Sequence, residues 1–576
     1  MIKYLSESVM NRLQARFEML YGPALSSRCM ERLAMLAGRY GLGYERRRTP
    51  STWNQRDAFL IAYADMIRNP NEKPLVSLKR FLDQHLRTAF TTVHLLPFFP
   101  FSSDDGFSVI YYRTLQPGLG AWNDVAGLGE HFGLMFDLVL NHTSRQSAWF
   151  TDYTLGIAPA RDYFIEADPA ADLSAVIRPR SSPLLSRVHT RHGDRWLWTT
   201  FSEDQLDLNF SNPDVLFEFL DLLLFYVSNG ARAIRLDAIA YLWKQIGTSC
   251  IHLPQTHEVV KVFRDLLELV APNVILLTET NVPHRENVSY FGQGDEAHMV
   301  YQFSLPPLLL HGLLTSQATH LARWAAELED PPPGCTFLNF TASHDGIGVR
   351  PLHGILLTPE LDALSETIRK KHGSVSMKRN ADGSESPYEF NITFFDALRF
   401  EEPQLKPLHW ARFMCSQTVP LALKGIPAFY FNSLLAAPND VAGMHQTGRA
   451  RSINRKKWST GEIDSLLHQS DSDAAKTLKE ISRRLEIRAG HPAFHPNGSQ
   501  SIPAFSDAVF VVLRTAPDRS ERVLCLHNFR EEAESIGFNQ LSPFFPLGQA
   551  TDLLSNQAIN LTTPLRLEPY QTVWLI

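Results

Sequence analysis

The sequence has 576 residues, which is too long for one compact core and favours a large catalytic domain with one or two appendages. Its composition, 44% hydrophobic and 20% charged, is typical of a globular protein. The formal net charge of −6 argues against a polyanionic partner, so we do not expect nucleic-acid binding.

The cysteines and the first residues of the chain indicate the cellular compartment in which the protein is found. The five cysteines are scattered and show no CxxC spacing, so we expect buried thiols and neither a zinc site nor a disulfide framework. The first twenty residues lack the apolar core of a signal peptide, and no stretch approaches the roughly 20 apolar residues of a membrane span. We therefore predict a cytoplasmic protein that does not contact a membrane.

Residues 1–56 predict an N-terminal helical extension. Apolar side chains recur at helical spacing in two groups, which indicates two helices. The groups are Met10, Leu13, Phe17 and Leu20, followed by Leu33 and Leu36. The basic run Arg46–Arg48 that follows is interpreted as a solvated linker.

Residues 57–496 predict a (β/α)8 barrel of the α/β class. Short apolar runs ending in polar residues alternate there with longer amphipathic segments, which is typical of a parallel sheet. Because there are eight such runs, we expect the sheet to close into a barrel. The runs cover residues 58–65, 92–98, 134–142, 231–238, 274–280, 299–303, 337–345 and 426–431.

Two segments are too long for simple crossovers between strands. They run from about 147 to 218 and from about 346 to 400, and both follow predicted barrel strands. Loops after barrel strands lie on the active-site face, so we expect two insertions that cover the site. Residues 497–576 contain short alternating apolar runs and predict a C-terminal all-β domain.

Five of the predicted strands carry charged or imidazole groups, most of them near the carboxyl end. They are His94, Asp137 with Asn141 and His142, Arg235 with Asp237, Glu279, and His344 with Asp345. Buried ionic groups within apolar runs are costly unless they are paired or functional. Because the carboxyl ends of barrel strands meet at one face, several such groups together predict an active site there.

Three of these carboxylates fit retaining glycoside chemistry. One carboxylate attacks the anomeric carbon in such a reaction and a second protonates the leaving oxygen. We expect Asp237 to be the nucleophile, with Arg235 on the same face of the strand lowering its pKa. Glu279 lies in an apolar run that would raise its pKa, which suits a general acid/base. Asp345 is the expected third carboxylate, which binds sugar hydroxyls.

The sequence resembles the α-amylase superfamily, glycoside hydrolase family 13. The resemblance is carried in the family's order by DLVLNH (137–142), ARAIRLDAIA (231–240), ILLTET (275–280) and FTASHD (340–345). Further blocks are similar to the sucrose phosphorylase subgroup, namely residues 94–112, 243–257 and 303–311, IRPR (177–180), SHDGIG (343–348) and GRARSINRKKW (448–458). The N-terminal helices favour the longer members that act on glucosylglycerate or glucosylglycerol.

The resemblance implies further site residues. Its glucose-clamping positions match Asp105, His142, Arg235, His344 and Arg455, and the positions that engage phosphate or the acceptor match Arg180 and Tyr388. Gln205, Asn281, Phe101 and Phe201 are interpreted as lining residues, although both phenylalanines also fit ordinary packing. The resemblance implies no metal and no cofactor, and Asn141, a calcium ligand in many amylases, is expected to be a structural hydrogen-bonding residue.

The carboxylates do not decide what receives the glucosyl group. A hydrolase admits water, whereas a phosphorylase admits phosphate as a co-substrate and releases α-glucose 1-phosphate. A dianion beside three carboxylates requires added positive charge, and Arg180 is the candidate because arginine binds phosphate in a bidentate manner. A non-catalytic protein on the same fold is disfavoured because all three carboxylates are present.

The second insertion bears on the aglycone. Its Glu385 and Glu389 disfavour an anionic acceptor, so we predict phosphorolysis of 2-O-α-D-glucosylglycerol with Glu385 contacting a glycerol-like acceptor. Lys378 and Arg379 lie nearby and keep glucosylglycerate as the first alternative. Sucrose or sucrose 6-phosphate phosphorolysis and α-glucoside hydrolysis come after it. A homodimer is also compatible with the sequence.

Overall fold

A computed structural model describes residues 7–41, 53–380 and 384–576, apart from the side chain of Arg379. The basic run Arg46–Arg48, interpreted above as a linker, lies outside these residues. The predicted pair of N-terminal helices is present as α1 (Glu7–Tyr21) and α2 (Pro23–Arg39).

The predicted (β/α)8 barrel is confirmed. Its strands, here β1 to β8, are Phe59–Ala62, Thr92–Leu95, Gly133–Val139, Ala231–Asp237, Ile275–Thr278, Met299–Tyr301, Thr336–Phe340 and Ile426–Tyr430. They close in chain order, each parallel to its neighbour, with β8 pairing with β1. Each of the eight strands lies within one of the apolar runs or overlaps it, because a strand covered on both faces needs a nearly continuous apolar sequence.

Helices surround the barrel and connect its strands. Proline occupies the first turn of Pro74–His85, Pro213–Ser228, Pro254–Val270 and Leu305–Thr315, where its missing N–H costs no hydrogen bond. The other helices between or after the strands are Trp122–Gly129, His284–Val288, Thr319–Ala326, His409–Ala422, Phe431–Leu434, Val441–Thr447, Thr460–His468 and Asp473–Ala489. The long helices Pro213–Ser228 and Pro254–Val270 bury apolar side chains in the same core as the barrel strands.

Helix α1 is held against a barrel helix by buried ion pairs. Arg16 Nε donates to Asp265 Oδ2 at 2.6 Å, and Arg16 Nη1 lies 3.2 Å from Glu258 Oε2. Helix α2 is joined to the preceding barrel helix by Arg32, whose Nη1 lies 2.6 Å from Asp214 Oδ1. The extension therefore packs on helices of the outer ring of the barrel.

Both insertions contain regular structure. The first includes the helix Ala148–Leu155, the hairpin Leu185–Thr190 with Gly193–Trp198, and the short strand Gln205–Asp207, which pairs with His142–Ser144. The second includes the helix Thr358–Lys370 and a three-stranded sheet of Ile347–Gly348, Glu385–Asn391 and Ser374–Arg379, followed by the helix Phe394–Ala397.

The C-terminal β region is also confirmed. Six strands form one sheet in the order Ser499–Ser501, Val509–Thr515, Arg522–Asn528, Thr572–Leu575, Gln549–Asp552 and Gln557–Asn560. Glu534–Ile536 and Leu565–Leu567 form a second pair, and a short helix, Phe538–Leu541, lies between the two sheets in sequence. All five cysteines are buried and free. No helix in the described part of the chain combines the length and apolar character needed to cross a bilayer.

Candidate active site

A chain of buried ionic contacts crosses the carboxyl end of the barrel. His94 Nε2 on β2 lies 2.6 Å from Asp137 Oδ2 on β3, and the other Asp137 oxygen accepts a hydrogen bond from Arg235 on β4. Arg235 Nη1 also lies 2.7 Å from Asp237 Oδ1, at the last position of the same strand. Arg235 is therefore fixed by one carboxylate and presents its charge to a second.

Glu279 follows β5 and borders the same guanidinium. Its Oε2 lies 4.0 Å from Arg235 Nη2 and accepts a hydrogen bond from the Ala238 amide at 3.0 Å. Ala238 has a left-handed backbone, with φ of 50°, directly after Asp237. This rare conformation for a residue with a side chain turns the amide towards Glu279, and such strain is concentrated at functional sites.

Asp237 and Glu279 titrate together. Burial raises the pKa of Asp237 well above its usual range, and Arg235 opposes the rise only in part. Arg235 therefore lowers the pKa of Asp237, as expected, but burial has the larger effect and the net shift is upward. Burial also raises the pKa of Glu279, as predicted. Because Arg235 touches Asp237 and lies further from Glu279, we assign the anion of the pair to Asp237 and the proton to Glu279.

Asp345 follows β7 and is held by arginine. Its Oδ1 lies 2.6 Å from Arg451 Nη1 and 3.5 Å from His344 Nε2. Burial favours the neutral acid, but Arg451 and His344 outweigh burial and lower the pKa of Asp345 well below its usual range. Burial lowers the pKa of His344 to about 3, so its imidazole is neutral near pH 7. Asp345 is thus an anion in the physiological range.

Arg451 is positioned by the second insertion. Its Nε and Nη2 donate to the two oxygens of Glu389 at 2.9 and 2.6 Å, and Glu389 is 1% exposed. A Cβ on Gly346 would lie 2.5 Å from Glu389 Cγ, so glycine at that position is required for this packing. Because Glu389 is paired with Arg451, it adds no unpaired negative charge to the site. The sequence interpretation, in which Glu389 disfavours an anionic acceptor, assumed that it does.

A cavity of about 620 Å³ joins these groups. Of the predicted residues, its wall contains Asp237, Glu279, Asp345, His142, His344, Arg180, Phe201, Gln205, Asn281 and Tyr388. Gln205 Nε2 lies 3.2 Å from His142 Nε2, and the Phe201 ring lies 5.2 Å from the His142 ring. Arg180 lies 5.9 Å from the Tyr388 ring centre, so the two residues predicted to engage phosphate or the acceptor are neighbours.

Asp104, and not the predicted Asp105, faces the active-site cavity. Among the described residues, Asp104 lines the cavity, whereas Asp105 Oδ2 points to Arg455 Nη1 at 2.6 Å. Both aspartates have positive φ angles, 51° and 49°, and this tight turn decides which carboxylate faces inward. The carboxylate that faces the cavity is therefore that of Asp104, and the glucose-clamping role of Asp105 stays a prediction.

Arg455 also lies behind the wall. Its Nε donates to the His344 carbonyl at 2.8 Å, and it is 6% exposed. Arg451, four residues earlier and one turn of helix away, lines the cavity in its place. Sequence analysis missed Arg451, Asp104, Phe107 and Tyr241, although all lie within or beside the quoted motifs.

Glu385 and Phe101 lie outside the cavity wall formed by the described residues. Glu385 is exposed at the start of its strand, so the structure does not bring it to the cavity, and its contact with the acceptor stays a prediction. Phe101 is half-buried and forms an isolated bridge with Val109, which favours the packing interpretation. Gly383 and the side chain of Arg379, from the same predicted loop, lie outside the described residues.

Asn141 has a hydrogen-bonding environment that differs from a calcium site. Its Oδ1 accepts from Lys244 Nζ at 2.7 Å and its Nδ2 donates to Asp207 Oδ2 at 3.1 Å. Lys244 Nζ also lies 2.5 Å from Asp207 Oδ2. The ammonium group supplies positive charge between these oxygens, which fits the structural role expected of Asn141.

Comparison with known proteins agrees with this geometry. Residues 84–325 match the family described as alpha amylase, catalytic domain. The chain is 44% identical to a glucosylglycerate phosphorylase of Allomeiothermus silvanus, over 93% of both chains. It is 29% identical to a glucosylglycerol phosphorylase of Marinobacter adhaerens, over 76% of this chain and 87% of that relative. A sucrose 6F-phosphate phosphorylase structure from Thermoanaerobacter thermosaccharolyticum superposes with a TM-score of 0.71 at 24% identity, covering 82% of this chain and 94% of the other.

The barrel, its C-terminal β region and the cluster of carboxylates define the class of the protein. The chain belongs to the α-amylase family. Within that family it is a glycoside phosphorylase, an enzyme of the glycosyltransferase type.

Proposed function

We propose that the enzyme catalyses the reversible phosphorolysis of an α-D-glucosylglycerate to α-glucose 1-phosphate and glycerate. The observation that carries this choice is that a cationic side chain of the insertions, and not Glu385, lines the cavity wall. Arg180 lines it, whereas Glu385, the reason for predicting a neutral polyol, is exposed and outside it. The 44% identity to a glucosylglycerate phosphorylase, against 29% to a glucosylglycerol phosphorylase, supports the same choice.

The acceptor region is cationic beyond Arg180. Arg350 Nη1 lies 3.4 Å from the hydroxyl of Tyr241, which lines the cavity. Burial and the charge of Arg350 lower the pKa of Lys378, so these two basic groups lie close enough to interact, and Arg350 Nη2 also lies 3.4 Å from Glu286 Oε2. A carboxylate or a phosphate would be stabilised here by charge-assisted hydrogen bonds, whereas glycerol gains less from such groups.

The chemistry is a double displacement. Asp237 attacks the anomeric carbon while Glu279 gives its proton to the departing aglycone oxygen, which leaves a β-glucosyl ester on Asp237. Phosphate then enters beside Arg180, and Glu279 takes a proton from it as the ester is cleaved. Asp345, His142 and Asp104 would hold the sugar hydroxyls. Retention of the α configuration follows from the two inversions.

Reverse phosphorolysis tests the assignment. The enzyme is supplied with α-glucose 1-phosphate and, separately, glycerate, glycerol, fructose or fructose 6-phosphate, and phosphate release is measured. We expect the highest kcat/KM with glycerate. A preference for glycerol would restore the sequence prediction, and a preference for either fructose compound would identify a sucrose-type phosphorylase. Rapid glucose release without acceptor preference would indicate a hydrolase. A cytoplasmic location and a homodimer stay predictions.

A further inference from the structure

We propose that His311, His320 and Glu360 form a transition-metal site, best suited to Zn²⁺, at the contact between the barrel and the second insertion. Their potential ligand atoms all lie within 4.8 Å of one another. None of the three residues is among the described residues that line the active-site cavity. The proposed site is therefore separate from the phosphorylase chemistry.

The three ligands come from three helices. His311 is on Leu305–Thr315, His320 is on Thr319–Ala326, and Glu360 is in the first turn of Thr358–Lys370. His320 Nε2 lies 3.0 Å from Glu360 Oε1, and His311 Nε2 lies 3.9 Å from the same oxygen. Two imidazoles and one carboxylate therefore already converge from independent elements.

The carboxylate of Glu360 is oriented for this role. Its Oε2 accepts a hydrogen bond from the Leu357 amide at 2.7 Å, which leaves Oε1 directed at the two histidines. Hydrogen bonds from outside the ligand set commonly fix metal-binding carboxylates in this way. The side chain of Glu360 is 31% exposed and that of His320 is 22% exposed, so an ion has a path from solvent.

His311 is a polar group without an evident role in the described structure. It is 5% exposed, its Nδ1 is buried without a hydrogen-bond partner, and its Nε2 is too far from Glu360 for a normal hydrogen bond. A buried imidazole in this state costs free energy.

The donor set selects the metal. Imidazole and carboxylate ligands suit Zn²⁺, and two histidines with one glutamate leave a fourth tetrahedral position for water. Zn–N bonds of about 2.0–2.1 Å require ligand atoms roughly 3.3 Å apart. His320 and Glu360 nearly meet that spacing, and a small side-chain rotation of His311 completes it.

A bound ion would connect the insertion to the barrel. The helix that carries Glu360 leads directly into strand Ser374–Arg379, which pairs with the strand that carries Tyr388 and Glu389. The helix that carries His320 begins beside the C-terminal β region, where the Ala318 amide donates to the Asp507 carbonyl at 2.6 Å. We therefore expect Zn²⁺ to stabilise the fold and the position of the second insertion.

The test uses chelator-treated full-length enzyme titrated with Zn²⁺ by calorimetry, and with Co²⁺ by visible absorption. We expect one saturable site, a tetrahedral Co²⁺ spectrum, and a higher melting temperature with Zn²⁺. His320→Gln and Glu360→Gln should each weaken the affinity at least ~10-fold, since even the loss of a residue that supports a ligand has that effect. His353→Gln removes an exposed histidine of the same insertion and should bind as the wild type does.

Two results would overturn the proposal. One is the absence of saturable Zn²⁺ binding by the wild-type enzyme. The other is binding that is equal in the wild type, His320→Gln and Glu360→Gln, which would place the ion elsewhere on the surface. Melting curves recorded in chelator check that the variants are folded, because without metal their stability should be close to that of the wild type.

Discussion

Glu389→Gln tests whether the second insertion positions the third carboxylate. Glu389 binds Arg451 through both oxygens, and Arg451 in turn contacts Asp345 at 2.6 Å. Glutamine keeps the shape of the side chain and one acceptor, but it presents an NH₂ group to a guanidinium that has only donors. Arg451 then retains Asp345 as its one charged partner among these contacts.

The magnitude follows from the two bonds. Hydrogen bonds to charged groups contribute about 1.5–3 kcal/mol each, and one of the pair is lost in a nearly dry environment. We therefore expect Glu389→Gln to lower the free energy of unfolding by about 2–3 kcal/mol. Displacement of catalytic groups by about 1 Å can reduce the rate ~100-fold, so kcat should fall by roughly 10–100-fold.

Glu385→Gln is the matched control. It makes the same chemical change four residues away on the same strand, at an exposed position. Its stability should stay within about 0.5 kcal/mol of the wild type, and its kcat/KM for glycerate and for glycerol should be unchanged. Thermal unfolding and phosphate release from α-glucose 1-phosphate provide the measurements. Equal behaviour of the two variants would refute the positioning role, and a selective loss with glycerol in Glu385→Gln would return that residue to the acceptor site.

Three further predictions concern the proton, the acceptor and the buried lysine. Burial raises the pKa of Glu279, and the protonated form is the acid, so glucosylation of the enzyme should slow as the pH rises through that pKa. Glu279→Gln should lack this decline in rate at high pH and should retain activity with an α-glucosyl fluoride donor. A pH profile that is unchanged in the variant would contradict the assignment. Arg180→Ala should raise the KM for phosphate and for glycerate ~10–100-fold in steady-state kinetics, while glucosyl transfer to water persists. An unaltered KM for both acceptors would exclude Arg180 from acceptor binding. Lys244→Met should lower the free energy of unfolding, measured in denaturant, by about 3–5 kcal/mol because Asp207 loses its counter-charge. A variant as stable as the wild type would show that this ion pair is dispensable.

The barrel and the three carboxylates could be predicted because both leave strong one-dimensional signals. Strands covered on both faces are nearly continuous apolar runs, and charged residues at their ends stand out against that background. Asp237, Glu279 and Asp345 each follow such a run, and the structure brings all three to one cavity. Their chemical roles stay predictions until the variants are measured.

The misplaced residues have close neighbours of the same type. Asp104 and Asp105 are adjacent and both have positive φ, so only the three-dimensional turn distinguishes them. Glu385 and Glu389 have the same strand parity, yet one is exposed and the other is buried. The pairing register shifts between them, where Ser376 pairs with Glu389 and Met377 with Pro387, and alternation in sequence does not record such a shift.

If the proposed function is correct, the contacts of Arg451 couple acceptor recognition to donor recognition. The strand that carries Tyr388 towards the acceptor carries Glu389 at the next position, and Glu389 fixes the arginine that holds Asp345. A change in the insertion that alters acceptor choice therefore also alters the setting of a carboxylate that faces the glucosyl group. We therefore expect that exchange of strand Glu385–Asn391 alone impairs donor use as well as acceptor choice.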